Sequence, residues 1–179
     1  DVKILDPATG TGTFIADIID YLPPEKLKHK YEMEMYANEV GILPYYVATL
    51  NIEYTYWQKM KAYVEFPNIC FMDTLDNAEY KSNVGSRGKR KGQYNMLDVL
   101  SEENSKRTAE QNNSKISVVI GNPPYNANQK NFNDQNANRS YPKIDDRIRD
   151  TFKKHSKATK NKLEDMYARF YRWAMDRVD

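Results

Sequence analysis

The stretch "VKILDPATGTGTF", residues 2–14, decides how the rest of the chain is read. Its apolar run, Val2 to Leu5, is halted by Asp6-Pro7 and reads as a β-strand and its end. Gly10 and Gly12 follow, residues that let a backbone turn tightly and approach a ligand closely. From Thr13, apolar residues fall at Phe14, Ile15, Ile18, Ile19 and Leu22, a helical face closed by Pro23-Pro24. The start of such a helix offers unpaired N–H groups to an anionic or polar ligand group. A Gly-x-Gly that lacks the third glycine of the dinucleotide fingerprint also fits an ordinary βα turn. The weight therefore falls on what the other strand ends carry.

Outward from that unit the alternation continues. "MEMYANEV" (33–40) reads as a second strand, "NICFMDTL" (68–75) as a third and "KISVVIGN" (115–122) as a fourth. Ile42, Tyr45, Tyr46, Thr49, Ile52, Tyr56, Trp57 and Met60 mark a long amphipathic helix, with Pro44 tolerable in its first turn. Leu163, Met166, Tyr167, Phe170, Tyr171, Ala174, Met175 and Val178 mark a last helix. Strands alternating with helices predict an α/β fold, a mainly parallel sheet with helices on both faces. Two insertions interrupt it. Residues 76–115 contain "GSRGKRKGQ" and a short helix near "NMLDVLSEE"; residues 126–138 hold 8 Asn or Gln among 13 and lead into basic chain, so that 126–160 reads as an amide-rich, then basic loop. Four strands are few for such a sheet, so the chain (1–179) is expected to be an incomplete domain, a segment of a longer polypeptide.

Composition narrows the function classes. No apolar run is long enough to span a bilayer as a helix, so no membrane partner is expected. The single cysteine, Cys70, lies in an apolar run and reads as a buried small hydrophobe, consistent with a reducing, cytoplasmic setting. No Cys/His cluster has metal-ligand spacing, and no metal is expected. The net charge of +2 hides a division: residues 1–80 carry −7, residues 81–115 carry +4 and residues 139–162 carry +6. A basic second half suits a polyanionic partner, although solvated loops would also carry such charge.

Polar residues fall at the strand ends. Glu39 closes strand two, where an acidic residue can bind a ribose diol, and Asp73 closes strand three, within reach of an adenine ring edge. Strand four runs into "GNPPY" (121–125). In a doubly wound sheet strands one and four are neighbours at the switch point, which puts the glycine turn and "NPPY" on either side of one crevice. Each proline fixes its own φ and biases the residue before it towards extended backbone. The result is a stiff loop presenting acceptors, the side-chain oxygen of Asn122 and the main-chain oxygen of Pro123, beside the flat face of Tyr125. Two acceptors on the N–H bonds of a planar exocyclic amine draw its nitrogen towards a tetrahedral shape and free its lone pair. An aromatic face meanwhile stacks on the base.

Together, "DPATGTGTF", the acidic residue after strand two, Asp73 and "NPPY" resemble the motifs of S-adenosylmethionine-dependent, adenine-specific DNA methyltransferases. The order, glycine motif before "NPPY", is similar to the gamma arrangement of restriction–modification systems. "ANEVGILPYYVATLNIE" and "KLEDMYARFYRWAMDRV" also look like stretches of large single-polypeptide restriction–modification enzymes. The resemblance implies a Rossmann-like methyltransferase fold and transfer of a methyl group from S-adenosylmethionine to the adenine exocyclic amine in double-stranded DNA, in a bacterial cytoplasm. It assigns Asp6, Thr9, Gly10, Gly12 and Phe14 to the methionine end of the cofactor, Glu39 to the ribose hydroxyls and Asp73 to the cofactor adenine. Pro7, Ala8, Thr13, Val40 and Thr74 complete the expected cofactor lining, which Asn122 borders as well. Asn122, Pro123, Pro124 and Tyr125 are the catalytic loop, holding a base flipped from the duplex at a cost of a few kcal/mol. The basic chain from Arg139 to Lys162 would face DNA, and other domains of the parent polypeptide, for target recognition and a helicase or nuclease, would be partners. Two other readings stand beside this one: an "NPPY" methyltransferase acting on RNA or a protein glutamine, and a non-catalytic module that binds cofactor and DNA within a restriction assembly.

Overall fold

The computed structural model describes residues 1–78, 96–124, 140–154 and 165–178, with side chains from residue 102 onward in the second span. "GSRGKRKGQ", the amide-rich tract, Tyr125 and the last lysines of the basic stretch lie outside those residues. Four strands, β1 (Ile4–Asp6), β2 (Met35–Glu39), β3 (Ile69–Phe71) and β4 (Val118–Val119), form one sheet in the order β3-β2-β1-β4. Every pairing is parallel, with Leu5 opposite Tyr36 and Val119, and Asn38 opposite Cys70. The expected neighbours, strands one and four, are paired.

Among the described residues six α-helices accompany the sheet: α1 (Thr13–Tyr21), α2 (Pro24–Met33), α3 (Ile42–Met60), α4 (Met96–Asn113), α5 (Pro142–Ile148) and α6 (Met166–Arg177). The period-two alternation of β2 sorts them into two layers. Met35 and Ala37 face a core with Ile15 and Ile19 of α1, Leu27 and Tyr31 of α2 and Ala48, Ile52 and Tyr56 of α3. Tyr36, between them, faces the opposite core with Leu5, Ile144 and Ile148 of α5, and Phe170 and Trp173 of α6. In the first layer the Tyr31 and Tyr56 rings stack at 3.9 Å, and the Tyr31 hydroxyl donates to the Val64 carbonyl at 2.9 Å. That bond satisfies the one polar atom such a ring brings into a core.

Three differences from the sequence reading are local. The stretch 24–32, unassigned above, forms helix α2 together with Met33, which the expected second strand had included: Pro24 stands at the first helical position, where the missing N–H costs nothing. Its polar surface hides the helical period, and only Leu27 and Tyr31 are buried. The short helix expected near "NMLDVLSEE" extends to Asn113 as α4, held by Gln111, which is almost wholly buried. Within 126–160, read as loop, Pro142–Ile148 is helix α5 and continues as a π-helical turn, Arg149–Lys153. Ile144 and Ile148 supply its buried side.

The glycine turn is constrained twice. Gly12 precedes α1 with φ +83°, and a β-carbon there would lie 3.1 Å from the Ala48 carbonyl oxygen and from Ile52 Cγ1. The turn thus rests directly on α3, the helix packed beside α1. Gly12→Ala is expected to destabilise the fold by about 2 kcal/mol or more, from the left-handed backbone and the enforced separation of α1 and α3. Chemical denaturation checks this, and a midpoint unchanged from the native chain refutes it.

Candidate active site

Because four parallel strands lie side by side, their carboxyl ends form a row. In spatial order it reads Asp73, two residues beyond β3; Glu39, the last of β2; Asp6, the last of β1; and Gly121-Asn122, beyond β4. With neighbouring strands about 4.8 Å apart, the row spans roughly 15 Å. Gly121 shows how closely its two motifs meet. A β-carbon there would sit 3.0 Å from Asp6 Oδ1 and 3.0 Å from Pro7 Cδ. The "NPPY" loop therefore leaves the sheet in contact with the glycine turn.

Asp6 is fully buried. Its Oδ1 accepts the Ala8 N–H at 3.2 Å and its Oδ2 the Thr9 hydroxyl at 3.1 Å. Burial pushes this carboxyl up from 3.8 to about 6; the Ala8 and Thr9 bonds pull the other way, and the charge of Glu39 adds to the rise. Glu39 joins the two neighbouring turns, its Oε2 accepting from Gly10 N at 2.9 Å and its Oε1 from Gly41 N at 2.7 Å. Asp73 Oδ1 accepts from Leu75 N at 3.0 Å, and Oδ2 accepts from the Tyr141 hydroxyl at 2.8 Å.

A buried polar chain supports these ends from beneath. The Thr74 hydroxyl donates to the Pro7 carbonyl at 2.6 Å and accepts from Asn38 Nδ2 at 3.2 Å. Asn38 Oδ1 accepts from Gln111 Nε2 at 2.8 Å, and the Asn38 carbonyl accepts from Thr9 N at 2.9 Å. Arg177 of α6 donates to the Gln111 and Ser114 carbonyls at 2.5 and 2.9 Å, satisfying the end of α4. Cys70 lies in the same layer; burial pushes its thiol up to about 11, which leaves it an inert small hydrophobe.

The sequence-predicted residues fall as follows. Asp6, Pro7, Ala8, Thr9, Gly10 and Gly12 form one continuous turn, with Thr13 and Phe14 opening the helix after it. Phe14 and Val40 are 36% and 60% exposed, apolar groups left open to solvent beside the row. Thr74 is different: the residue is 3% exposed and its hydroxyl bonds within the protein, so its side chain braces the turn. Asn122 and Pro124 are exposed and Pro123 half-buried. Asn38, Gln111 and Tyr141 were not anticipated. A buried asparagine inside an apolar strand is a legible signal; nothing local marks the other two.

A family model described as Eco57I restriction-modification methylase matches residues 44–178, leaving out the glycine turn. Three solved structures cover that part too. A DrdV–DNA complex determined by cryo-electron microscopy is 51% identical with a TM-score of 0.85, over 99% of this chain and 16% of that one. The Type ISP restriction-modification enzyme LlaGI, a nuclease-deletion mutant in complex with a DNA substrate mimic, is 33% identical with a TM-score of 0.81, over 99% of this chain and 14% of that one. The ATP-dependent Type ISP enzyme LlaBIII bound to DNA is 33% identical, TM-score 0.81, over 100% of this chain and 12% of that one. The chain thus spans 12–16% of the length of these relatives. Comparison with curated proteins gave no match.

The raised Asp6 carboxyl has a consequence for stability. Its folded state holds the proton to a higher pH than the unfolded chain does, so its contribution is full below about pH 4 and lost as pH rises through about 6. At about 1.4 kcal/mol per pH unit the loss is on the order of 3 kcal/mol. Asp6→Asn is expected to gain on the native chain by roughly 2 kcal/mol between pH 4.5 and 7.5 in denaturant titrations. Parallel pH curves for the two chains would remove the buried carboxyl as a source of pH dependence.

Proposed function

This chain belongs to the Eco57I restriction-modification methylase family, and from that premise we propose that it transfers a methyl group from S-adenosylmethionine to the exocyclic amine of adenine in double-stranded DNA. One observation carries the reading. Three carboxylate-bearing strand ends and the Asn122 loop stand in an uninterrupted row, in the order in which a nucleoside, an amino-acid chain and a target amine would be laid out.

The residues fit the cofactor. Glu39 and Asp73 offer acceptors suited to ribose hydroxyls and an adenine amine, and among the described residues nothing lies within 4 Å of where a side chain on Gly10 would start. Asp6, buried and short of its ordinary acidity, gains from any cationic group brought near it. When bound, the cofactor supplies an electrophilic methyl group on a sulfonium. The chain's own task is alignment. Asn122 Oδ1 and the Pro123 carbonyl accept the two N–H bonds of the target amine, and the prolines keep both acceptors from relaxing away. Tyr125 stacks on the flipped base. Pro124 ends the pair without adding a donor that would compete for those acceptors.

The DNA complexes formed by LlaGI and LlaBIII, together with a +6 net charge over residues 139–162, favour DNA over RNA or a protein glutamine as substrate. Among the described residues no helix is long and apolar enough to cross a membrane. The other domains of a longer polypeptide would supply site recognition.

Incubating the full polypeptide with methyl-labelled cofactor and duplex DNA is expected to place label on adenine, recovered as N6-methyladenine after digestion. Asn122→Ala is expected to lower that transfer at least a hundredfold, the scale of losing an aligned transition-state contact, with cofactor affinity changed by less than about twofold. Undiminished transfer by the variant, or label on RNA or protein in place of DNA, overturns the proposal.

A further inference from the structure

Tyr141 stands outside every motif discussed above, yet its hydroxyl reaches the last carboxylate of the row. It donates to Asp73 Oδ2 at 2.8 Å while Leu75 N–H holds Oδ1 at 3.0 Å. Each oxygen is thus held by a donor of known position, and the carboxylate plane is set. A carboxylate offers about four acceptor positions, two on each oxygen, so donors on both oxygens fix its orientation.

Tyr141 is itself firmly held. Only 7% exposed, it shares a core with Leu75, Ile144, Phe170 and Trp173. Its backbone N–H donates to Asp145 Oδ2 at 3.1 Å, and the same carboxylate receives the Arg169 guanidinium at 2.7 and 3.0 Å, a two-pronged pair. Arg169 also covers the Tyr141 ring, 5.3 Å from its centre. The turn that carries Asp73 is braced from the same side, where Trp173 Nε1 donates to the Asn77 carbonyl at 3.2 Å. An ordinary core tyrosine needs only some acceptor for its hydroxyl. This one is held through its backbone N–H, its ring and its core neighbours, and its hydroxyl donates to a strand-end carboxylate.

We infer that Tyr141 is a positioning residue for cofactor selection: by fixing the Asp73 carboxylate it sets the preference for a purine bearing a 6-amino group. The inference rests on the reading of Asp73 as the acceptor of that amine. Arg169 acts one step further back, through Asp145 and the Tyr141 ring.

The test compares two unreactive probes on the full polypeptide by calorimetry: S-adenosylhomocysteine and its counterpart with hydrogen in place of the 6-amino group. The native chain is expected to prefer the first by about tenfold, the scale of one hydrogen bond to a charged acceptor. Tyr141→Phe, which keeps the ring in its core, is expected to cut that preference below threefold while leaving affinity for the second probe unchanged. In turnover, KM for S-adenosylmethionine should rise severalfold with kcat held within twofold. A tenfold preference retained by Tyr141→Phe overturns the inference, and so does an equal weakening of both probes, the mark of a merely structural role. Absence of any preference in the native chain would instead strike at the reading of Asp73 itself, an outcome that Asp73→Asn, behaving like the native chain, would corroborate.

Discussion

The line of buried hydrogen bonds from the Pro7 carbonyl through Thr74 and Asn38 to Gln111 ties the rest of the architecture together. It crosses three elements that share no covalent neighbourhood: the turn after β1, the strand β2 and the turn after β3, with α4 at its far end. Each such bond contributes little net stability, but a buried partner left without its mate costs on the order of 1–3 kcal/mol. The line therefore acts less as glue than as registration. It leaves the first three strand ends only one arrangement in which every link is made, and the row of acidic groups above depends on that arrangement.

Much of this was legible in the sequence because it is written in local chemistry. Asp6-Pro7 ends a strand, Gly10 and Gly12 turn the chain, and Ile42 to Met60 carry a helical period; each expectation coincides with an element within a few residues. What stayed hidden is non-local. Helix α2 shows almost no periodicity because a single turn of its surface, around Leu27 and Tyr31, is covered. Tyr141 looks like one more aromatic ahead of a proline until the fold carries it to Asp73, 68 residues away in the chain. Gln111 reads as surface in a polar helix and is among the most buried side chains. Thr74 is likewise non-local: its hydroxyl donates to the Pro7 carbonyl 67 residues away, a bond that nothing in its neighbourhood announces.

Electrostatically the row is incomplete by itself. Burial, with the charge of Glu39 adding to it, holds Asp6 short of full ionisation at mildly acidic pH. Backbone amides from Ala8, Gly10 and Gly41 and the Thr9 hydroxyl offset part of that repulsion without removing it. Such a site has a standing affinity for positive charge, and it lies in the acidic part of the chain, −7 over residues 1–80. The basic part follows the Asn122 loop. Acidic and basic charge thus fall on different stretches of the same chain.

The margin of the sheet at β3 carries a quieter device. Asn104 of α4 accepts the Phe71 N–H at 2.7 Å and donates to the Phe71 carbonyl at 2.8 Å. One side-chain amide thereby imitates the peptide unit of a neighbouring strand and occupies the groups through which another chain would add itself. Among the described residues this one side chain thus closes the outward-facing N–H and C=O of Phe71, so that a strand arriving on that flank would first have to displace Asn104.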